Sequence, residues 1–172
     1  MFKKPLIIKL MVLIFIVSLL ASCGGGGGGG GTPGGGTGDT MTITIGAGTP
    51  ATYNEGAYDP LLIGTVSGTK TYIDLCSGVL IGGACTTAVN IVVNGTTTLS
   101  YPVGATTKVS YTDGSTLYQT STTGAVNLAA DVGAVGSSIQ GTFDVTLSCV
   151  LSCTAKPATI TMIGSFNVTR EQ

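Results

Sequence analysis

Residues 139–147 read IQGTFDVTL and residues 160–168 read ITMIGSFNV. Apolar and polar residues alternate in both stretches, which is the pattern of β-strands with one buried and one solvated face. The apolar members of the inward faces are Ile139, Phe143, Val145, Leu147, Ile160, Met162, Phe166 and Val168. The two stretches therefore predict a pair of antiparallel strands that share one core.

Glycine interrupts the inward face of each predicted strand, at Gly141 and at Gly164. A glycine inside a strand marks a bulge or a place where another group packs closely against the backbone, here beneath an aromatic ring. Each glycine opens a Gly-x-Phe unit, ending at Phe143 and Phe166 respectively. We interpret the two units as strand partners rather than as copies of a duplicated module.

Turn signals recur between further β-prone segments upstream of this pair, which is typical of a sandwich or a barrel. The segments are residues 41–45, 61–66, 69–75, 89–93, 96–101, 108–112 and 115–119, with two-residue turns predicted at Ser67-Gly68, Asn94-Gly95 and Asp113-Gly114. Residues 124–131 are weaker and predict a strand start followed by a short helical turn in LAADV. The predicted fold is an all-β antiparallel β-sandwich, with a small β-barrel as the alternative.

The N-terminus has a different character, with Lys3, Lys4 and Lys9 around a short apolar core, LMVLIFIVSLL, at residues 10–20. This layout is that of an export signal and is too short for a transmembrane helix. Leu20-Ala21-Ser22-Cys23 resembles the lipobox of bacterial lipoproteins. The resemblance implies cleavage before Cys23 and acylation of that residue, with palmitate among the acyl chains. The stretches 141–148 and 160–168 also resemble the ends of small β-rich bacterial lipoproteins of unknown function.

The sequence divides into a signal peptide at 1–22, a lipidated cysteine with a glycine-rich linker at 23–40, and one β-rich domain at 41–172. A glycine-rich chain of that length spans about 20–25 Å on average. Gly24 follows the cysteine, whereas the enterobacterial rule for retention at the inner membrane requires aspartate there. The resemblance therefore implies an outer-membrane location, and it leaves open which membrane face the domain occupies.

The net charge of the mature chain indicates which classes of partner it can bind. After the signal is removed, four basic and eight acidic side chains remain, a balance of −4. A sparse acidic surface predicts no nucleic-acid binding and no attraction to anionic headgroups, so membrane attachment must come from the N-terminal lipid. The predicted partners are the membrane and an envelope protein or surface ligand of unknown identity.

Four cysteines, Cys76, Cys85, Cys149 and Cys153, lie in the folded part. An even number in an exported domain predicts two disulfides, and we favour the local pairs Cys76–Cys85 and Cys149–Cys153 over crossed pairing. The spacings do not match common zinc sites, so we predict no metal and no cofactor.

The chain contains no histidine, which excludes the most common general base and the usual histidine ligands of zinc. Ser67 and Lys70 have the Ser-x-x-Lys spacing of β-lactamases, but they lie on a predicted turn rather than on a helix. Glu55 and Asp59 share a loop and could offer oxygen ligands to calcium. Asp74 and Asp144 are predicted on outward strand faces, and Asp113 at a turn. These observations predict that the protein is not an enzyme.

Tyr101, Tyr111 and Tyr118 fall in the central predicted hairpins, where they could form a binding platform. The sequence as a whole predicts a membrane-anchored envelope lipoprotein that acts as a structural, adhesive or partner-binding module. The alternative is a carrier of a small apolar ligand with a lipocalin-like cavity.

Overall fold

The computed structural model describes residues 38–56, 59–79 and 84–172. Ten β-strands and no helix occur in these ranges, so the predicted all-β class is confirmed. The strands are β1 (Thr40–Ile45), β2 (Ala51–Asn54), β3 (Leu61–Ser67), β4 (Lys70–Val79), β5 (Cys85–Val93), β6 (Ser100–Pro102), β7 (Lys108–Asp113), β8 (Thr116–Leu128), β9 (Ser138–Leu151) and β10 (Thr159–Thr169).

The predicted signal peptide, Cys23 and the linker up to residue 37 lie outside the described residues. Across the ranges that are described, no helix has both the length and the apolar character needed to cross a membrane.

The strands form one sheet in the order β2-β1-β10-β9-β8-β7-β5-β4-β3, with β6 attached to β8. The pairs along this path are antiparallel, and the sheet curls until β3 meets the residues after β10. There, Glu171 N donates to Gly64 O at 2.8 Å and Val66 N donates to Gln172 O at 2.9 Å. The sheet curls around one core, which is consistent with the predicted all-β antiparallel architectures.

The β9–β10 pair has the predicted faces and explains its two glycines. Gly164 lies opposite Phe143, and Gly141 lies opposite Phe166. A Cβ atom on Gly164 would come within 2.3 Å of Phe143 Cζ, and one on Gly141 within 2.4 Å of Phe166 Cζ. Each ring therefore packs on the glycine of the opposite strand, which confirms that the Gly-x-Phe units are strand partners.

The interior is filled by large apolar side chains from nearly every strand. The largest of those that are less than 2 % exposed are Phe143, Met41, Leu62, Ile73, Leu75, Ile91, Ile139, Leu147, Met162, Val89, Val93 and Val109. Their alternation along each strand places the polar residues on the outer face.

Two of the three predicted hairpin turns are confirmed, each shifted by one residue. The β3–β4 loop is Gly68-Thr69 and the β7–β8 loop is Gly114-Ser115. Gly68 and Gly114 have φ values of 62° and 59°, which glycine adopts without the steric cost of a Cβ atom.

The predicted hairpin at Asn94-Gly95 is wrong. β5 pairs with β4 and β7, while the segment after Gly95 crosses to β8 as β6. Gly95 does not have a positive φ; it lies against the ring of Tyr101, whose Oη would be 2.2 Å from an added Cβ. The Tyr101 hydroxyl also donates to Thr97 O at 2.8 Å. The glycine therefore serves close packing rather than a two-residue turn.

Two shorter segments also differ from the sequence-based interpretation. LAADV contains no helix, because β8 continues to Leu128 and a bend follows. The short strand β2 was not predicted, although the turn-prone residues 46–50 separate it from β1.

Candidate functional site

The four cysteines form the predicted local pairs. Cys76 and Cys85 are bonded with their Cα atoms 5.4 Å apart, and Cys149 and Cys153 with theirs 5.8 Å apart. The first bond joins the ends of β4 and β5, and the second closes the loop between β9 and β10. All four cysteines thus form structural disulfides with their local partners, and the crossed pairing is not present.

A surface cavity lies on the inner side of the β1–β2 hairpin. In the antiparallel register, Tyr53 lies opposite Met41 and Ala51 lies opposite Ile43. Because successive side chains alternate in direction, Tyr53 and Ala51 share the inward face of β2 with the core-facing residues of β1. The inward face of this short edge strand is thus aromatic and apolar.

This cavity has a volume of about 310 Å³, and we call it the tyrosine cleft. Its lining comprises Ile43 and Ile45 of β1, residues 48–49 of the turn, Ala51 and Tyr53 of β2, and Tyr111 of β7. A cavity lined by aliphatic and aromatic side chains, as this one is, is the usual form of a binding site.

Tyr111 joins the cleft to the aromatic part of the core. Its ring centroid is 6.3 Å from that of Tyr118, which is 3 % exposed. Burial, and then the proximity of Asp113, Tyr53 and Tyr118, raises the pKa of Tyr111 to about 12. The Tyr111 hydroxyl is consequently neutral in the physiological pH range and offers hydrogen bonding without charge.

The predicted platform of three tyrosines is wrong in its membership. Tyr118 is buried, and Tyr101 lies against Gly95 on another part of the sheet, so only Tyr111 lines the cleft. Sequence reasoning missed Tyr53. The turn-prone segment after β1 could have identified Tyr53. Such a segment predicts a hairpin, and the hairpin would bring the next β-prone residues, which include Tyr53, back beside β1.

Three acidic side chains come together where the domain begins. The Asp39 carboxylate, on a residue 6 % exposed, accepts hydrogen bonds from Thr169 N and Thr169 Oγ1, both at 2.7 Å. Burial, then the charges of Asp39 and Glu171, and then a side-chain hydrogen bond with Asp39 raise the pKa of Glu55, while a backbone hydrogen bond at Leu62 opposes the shift. Burial and then Asp39 likewise raise the pKa of Glu171. These acids link the start of the domain to its end.

Glu55 and Asp59, which sequence reasoning considered together for calcium, have separate partners. Gly78 N donates a hydrogen bond to the Asp59 carboxylate, at 2.9 Å from Oδ1 and 3.1 Å from Oδ2. Among the described residues, no group of three or more acidic or cysteine side chains is arranged to hold a metal ion.

The remaining polar candidates are dispersed. Asp74 accepts a hydrogen bond from Asn90 across β4 and β5, and burial raises its pKa. Asp113 forms an ion pair with Lys156 at 3.2 Å, and Asp144 is exposed on the outer face of β9. These carboxylates lie in separate parts of the sheet and do not converge on one place.

Ser67 and Lys70 lie opposite each other across the β3–β4 turn, as the sequence predicted. Both are exposed, and the helix that gives this pair its role in β-lactamases is replaced by a two-residue loop.

A second depression, of about 260 Å³, is lined by Ala129, Gln140, Gly141, Thr142, Phe166 and Asn167. Of its exposed lining residues, Gln140 and Thr142 are polar and lie on the outer face of β9, and Ala129 follows β8. The tyrosine cleft is the stronger candidate, because it is somewhat larger and is lined by two isoleucines and two tyrosines, the apolar and aromatic side chains that usually form binding pockets. Comparison with protein-family models, with curated proteins and with solved structures finds no match to this chain.

Proposed function

We propose that the protein is a lipid-anchored envelope lipoprotein whose β-domain binds a partner through the tyrosine cleft and performs no catalysis. The observation that carries this proposal is the cleft itself. It presents two tyrosine rings beside aliphatic side chains on a fold whose interior is otherwise filled.

The anchoring part of the proposal rests on the sequence. Leu20-Ala21-Ser22-Cys23 has the pattern of a lipobox, and Gly24 favours the outer membrane. A single acyl chain binds a membrane only marginally, whereas two or three anchor it stably. The first strand, β1, begins at Thr40, and the glycine-rich segment between Cys23 and that strand would form a tether that reaches about 20–25 Å from the membrane.

The filled core supports partner binding over the carrier alternative. Phe143, Met162 and Leu147 occupy the space that a carrier would leave for its ligand, and each is no more than 1 % exposed. The cleft lies at the lower end of the range of ligand-pocket volumes, roughly 300–1,000 Å³. It therefore suits a side chain or short segment of a partner better than an entire lipid-like molecule.

The first experiment concerns the anchor. Mass spectrometry of the N-terminal peptide from membrane-extracted protein should find acyl chains on Cys23 and no residue before it. A Cys23→Ser variant is the control and should retain the signal peptide. An unmodified Cys23 in the native protein would contradict the anchoring part of the proposal.

The second experiment concerns the cleft. A photo-crosslinking amino acid at Thr49, which is exposed and lines the cleft, should capture a discrete partner in intact cells. The matched control places the same group at Val135, which is 62 % exposed and is not part of the lining. Equal products at both positions, or none at Thr49, would contradict partner binding at the cleft.

A further inference from the structure

The strand that forms one wall of the tyrosine cleft is also an edge of the sheet. β2 stands last in the strand order and pairs with β1 alone among the described residues. Glu55 N donates to Asp39 O at 2.9 Å, and Asp39 lies opposite Glu55 when the β1–β2 register is continued by one pair. In an antiparallel pair, hydrogen-bonded positions occur at every second residue.

That alternation determines which groups of β2 are free. Ala51 and Tyr53 direct their backbone hydrogen bonds to β1, so the N–H and C=O groups of Thr52 and Asn54 point away from the sheet. Thr52 and Asn54 are exposed, and in the described part of the chain no turn or loop backbone group bonds to them. The edge thus presents a short, unused row of donors and acceptors.

The free edge and the cleft are adjacent. An extended chain that paired with β2 would place every second side chain on the same face as Ala51 and Tyr53. That face lines the cleft, so an apolar side chain of the added strand would enter it beside Tyr111. This combination of backbone pairing and a side-chain pocket is the recognition mode called strand addition.

The charge at one end of β2 indicates a further feature of the partner. Glu55 directly follows the strand and lies near Asp39 and Glu171. The ion pair found within the described residues, Lys156 with Asp113, does not involve these three acids. The Glu55 carboxyl interacts with the Asp39 carboxyl and with the backbone at Leu62, and its Oε2 atom has no hydrogen-bond partner among the described residues. A basic side chain of the partner would complement this end of the edge.

We propose that the occupant of the cleft is an extended peptide segment of another protein, which adds to β2 as an eleventh strand. Its alternate side chains are apolar and enter the cleft, and a lysine or arginine lies toward Glu55. The inference rests on the proposed partner-binding function and specifies its chemistry. Because β2 has only four residues, affinity depends strongly on the side chain in the cleft.

The test uses the mature lipoprotein in detergent and a displayed library of random dodecapeptides. We expect selection of peptides with alternating apolar residues and a basic residue at one end. Thr52→Pro removes the outward N–H while leaving the bonds to β1, and proline is tolerated on edge strands. This variant should bind the selected peptides about tenfold more weakly, equivalent to about 1.4 kcal/mol. Thr52→Ala, which keeps the N–H, should bind like the native protein.

Hydrogen–deuterium exchange provides a second measurement that does not depend on the folding of a proline variant. Addition of a selected peptide to the native protein should slow exchange at the amides of Thr52 and Asn54. Unchanged exchange there, undiminished binding by Thr52→Pro, or an equal loss in Thr52→Ala would overturn strand addition. Dimerisation of the native chain that is abolished by Thr52→Pro would also overturn it, because the occupant would then be a second copy.

The two proposals can fail separately. If crosslinking from Thr49 captures a partner while exchange at Thr52 and Asn54 is unchanged, the cleft binds a partner by another mode. If crosslinking at Thr49 also fails, partner binding at the cleft is itself contradicted.

Discussion

The β9–β10 hairpin and the β1–β2 hairpin belong to one sheet but differ in how completely their backbone and side-chain groups are paired with neighbouring strands. β9 and β10 have 14 and 11 residues, lie inside the sheet, and pack each phenylalanine on a glycine of the other strand. β2 has four residues, a free edge and a half-buried tyrosine. The comparison indicates that the first hairpin stabilises the fold and that the second retains a free edge, which the proposed partner binding would use.

The two hairpins are also expected to differ in how much stability a substitution costs. A central strand has neighbours on both edges, so an added atom meets backbone that cannot move independently. An edge strand has one such neighbour, and its other side can adjust. The four predictions below use this difference, in order of decreasing expected effect.

The largest effect should come from Gly164→Ala in the β9–β10 hairpin. Its Cβ would lie 2.3 Å from both Phe143 Cζ and Thr42 O. Overpacking of this kind should lower the free energy of unfolding by about 3 kcal/mol, measured by urea denaturation. Gly104→Ala is the matched control, since a Cβ there meets nothing within 4 Å, and its effect should stay within about 0.5 kcal/mol. Equal effects would contradict the interlocked packing.

The next effect concerns the disulfide that closes the same hairpin. Replacing Cys149 and Cys153 together by serine should lower the free energy of unfolding by about 2 kcal/mol, because the unfolded chain gains freedom. Cys76 and Cys85 are nine residues apart rather than four, so their double replacement should cost slightly more. Urea denaturation of the two double variants measures the difference. The opposite order would show that loop length does not determine the effect here.

A smaller effect is expected at the edge. Tyr53→Ala should lower the free energy of unfolding by only about 1 kcal/mol, as Tyr53 is half-buried and its strand has one neighbour. The same change should remove most of the crosslinked product formed from Thr49, which would sharpen the separation of stability from binding. Tyr53→Phe, which keeps the ring, should retain the product. A stability loss as large as that of Gly164→Ala would break the comparison.

The smallest expected effect is an increase, rather than a decrease, in the free energy of unfolding, and it concerns Glu55. Glu55 has a folded-state pKa above its ordinary value of 4.5, so the folded domain binds its proton more tightly than the unfolded chain does. Stability should therefore fall as pH rises from 4.5 through the raised value, and Glu171 acts in the same direction. Glu55→Gln should raise stability at neutral pH by about 0.5 kcal/mol and flatten this dependence.

Urea denaturation at several pH values checks the Glu55 prediction. Glu171→Gln is a useful companion variant, since it removes a second member of the same acidic group. If Glu55→Gln lowers stability at neutral pH, the group at the start of the domain is not repulsive.

The parts of the fold that could be predicted are those encoded over short distances in sequence. Alternation in β9 and β10 depends on residues two apart, and the turns at Gly68 and Gly114 depend on a few adjacent residues. The local disulfides are similar, because few residues separate each pair. Asn94-Gly95 also has the local pattern of a two-residue turn, but the prediction of a turn there is wrong. Glycine is required at that position because the ring of Tyr101 packs against it.

The candidate site could be predicted only in part. Tyr111 was identified from its place in a central hairpin, but Tyr53 was not, and nothing local relates the two residues. They meet because the curl of the sheet brings the β1–β2 hairpin toward β7, although the two elements are not paired.

The sequence by itself determined the β-class and the faces of the main strands, favoured the local cysteine pairs, and is the basis of the proposed address at Cys23. Only the tertiary structure decided that β5 pairs with β7, that β2 is an edge, and that Tyr53 and Tyr111 share a cleft. The physical reason is that a strand's pattern specifies which side faces the core but not which strand lies beside it. That choice depends on how the whole sheet curls to bury its apolar face.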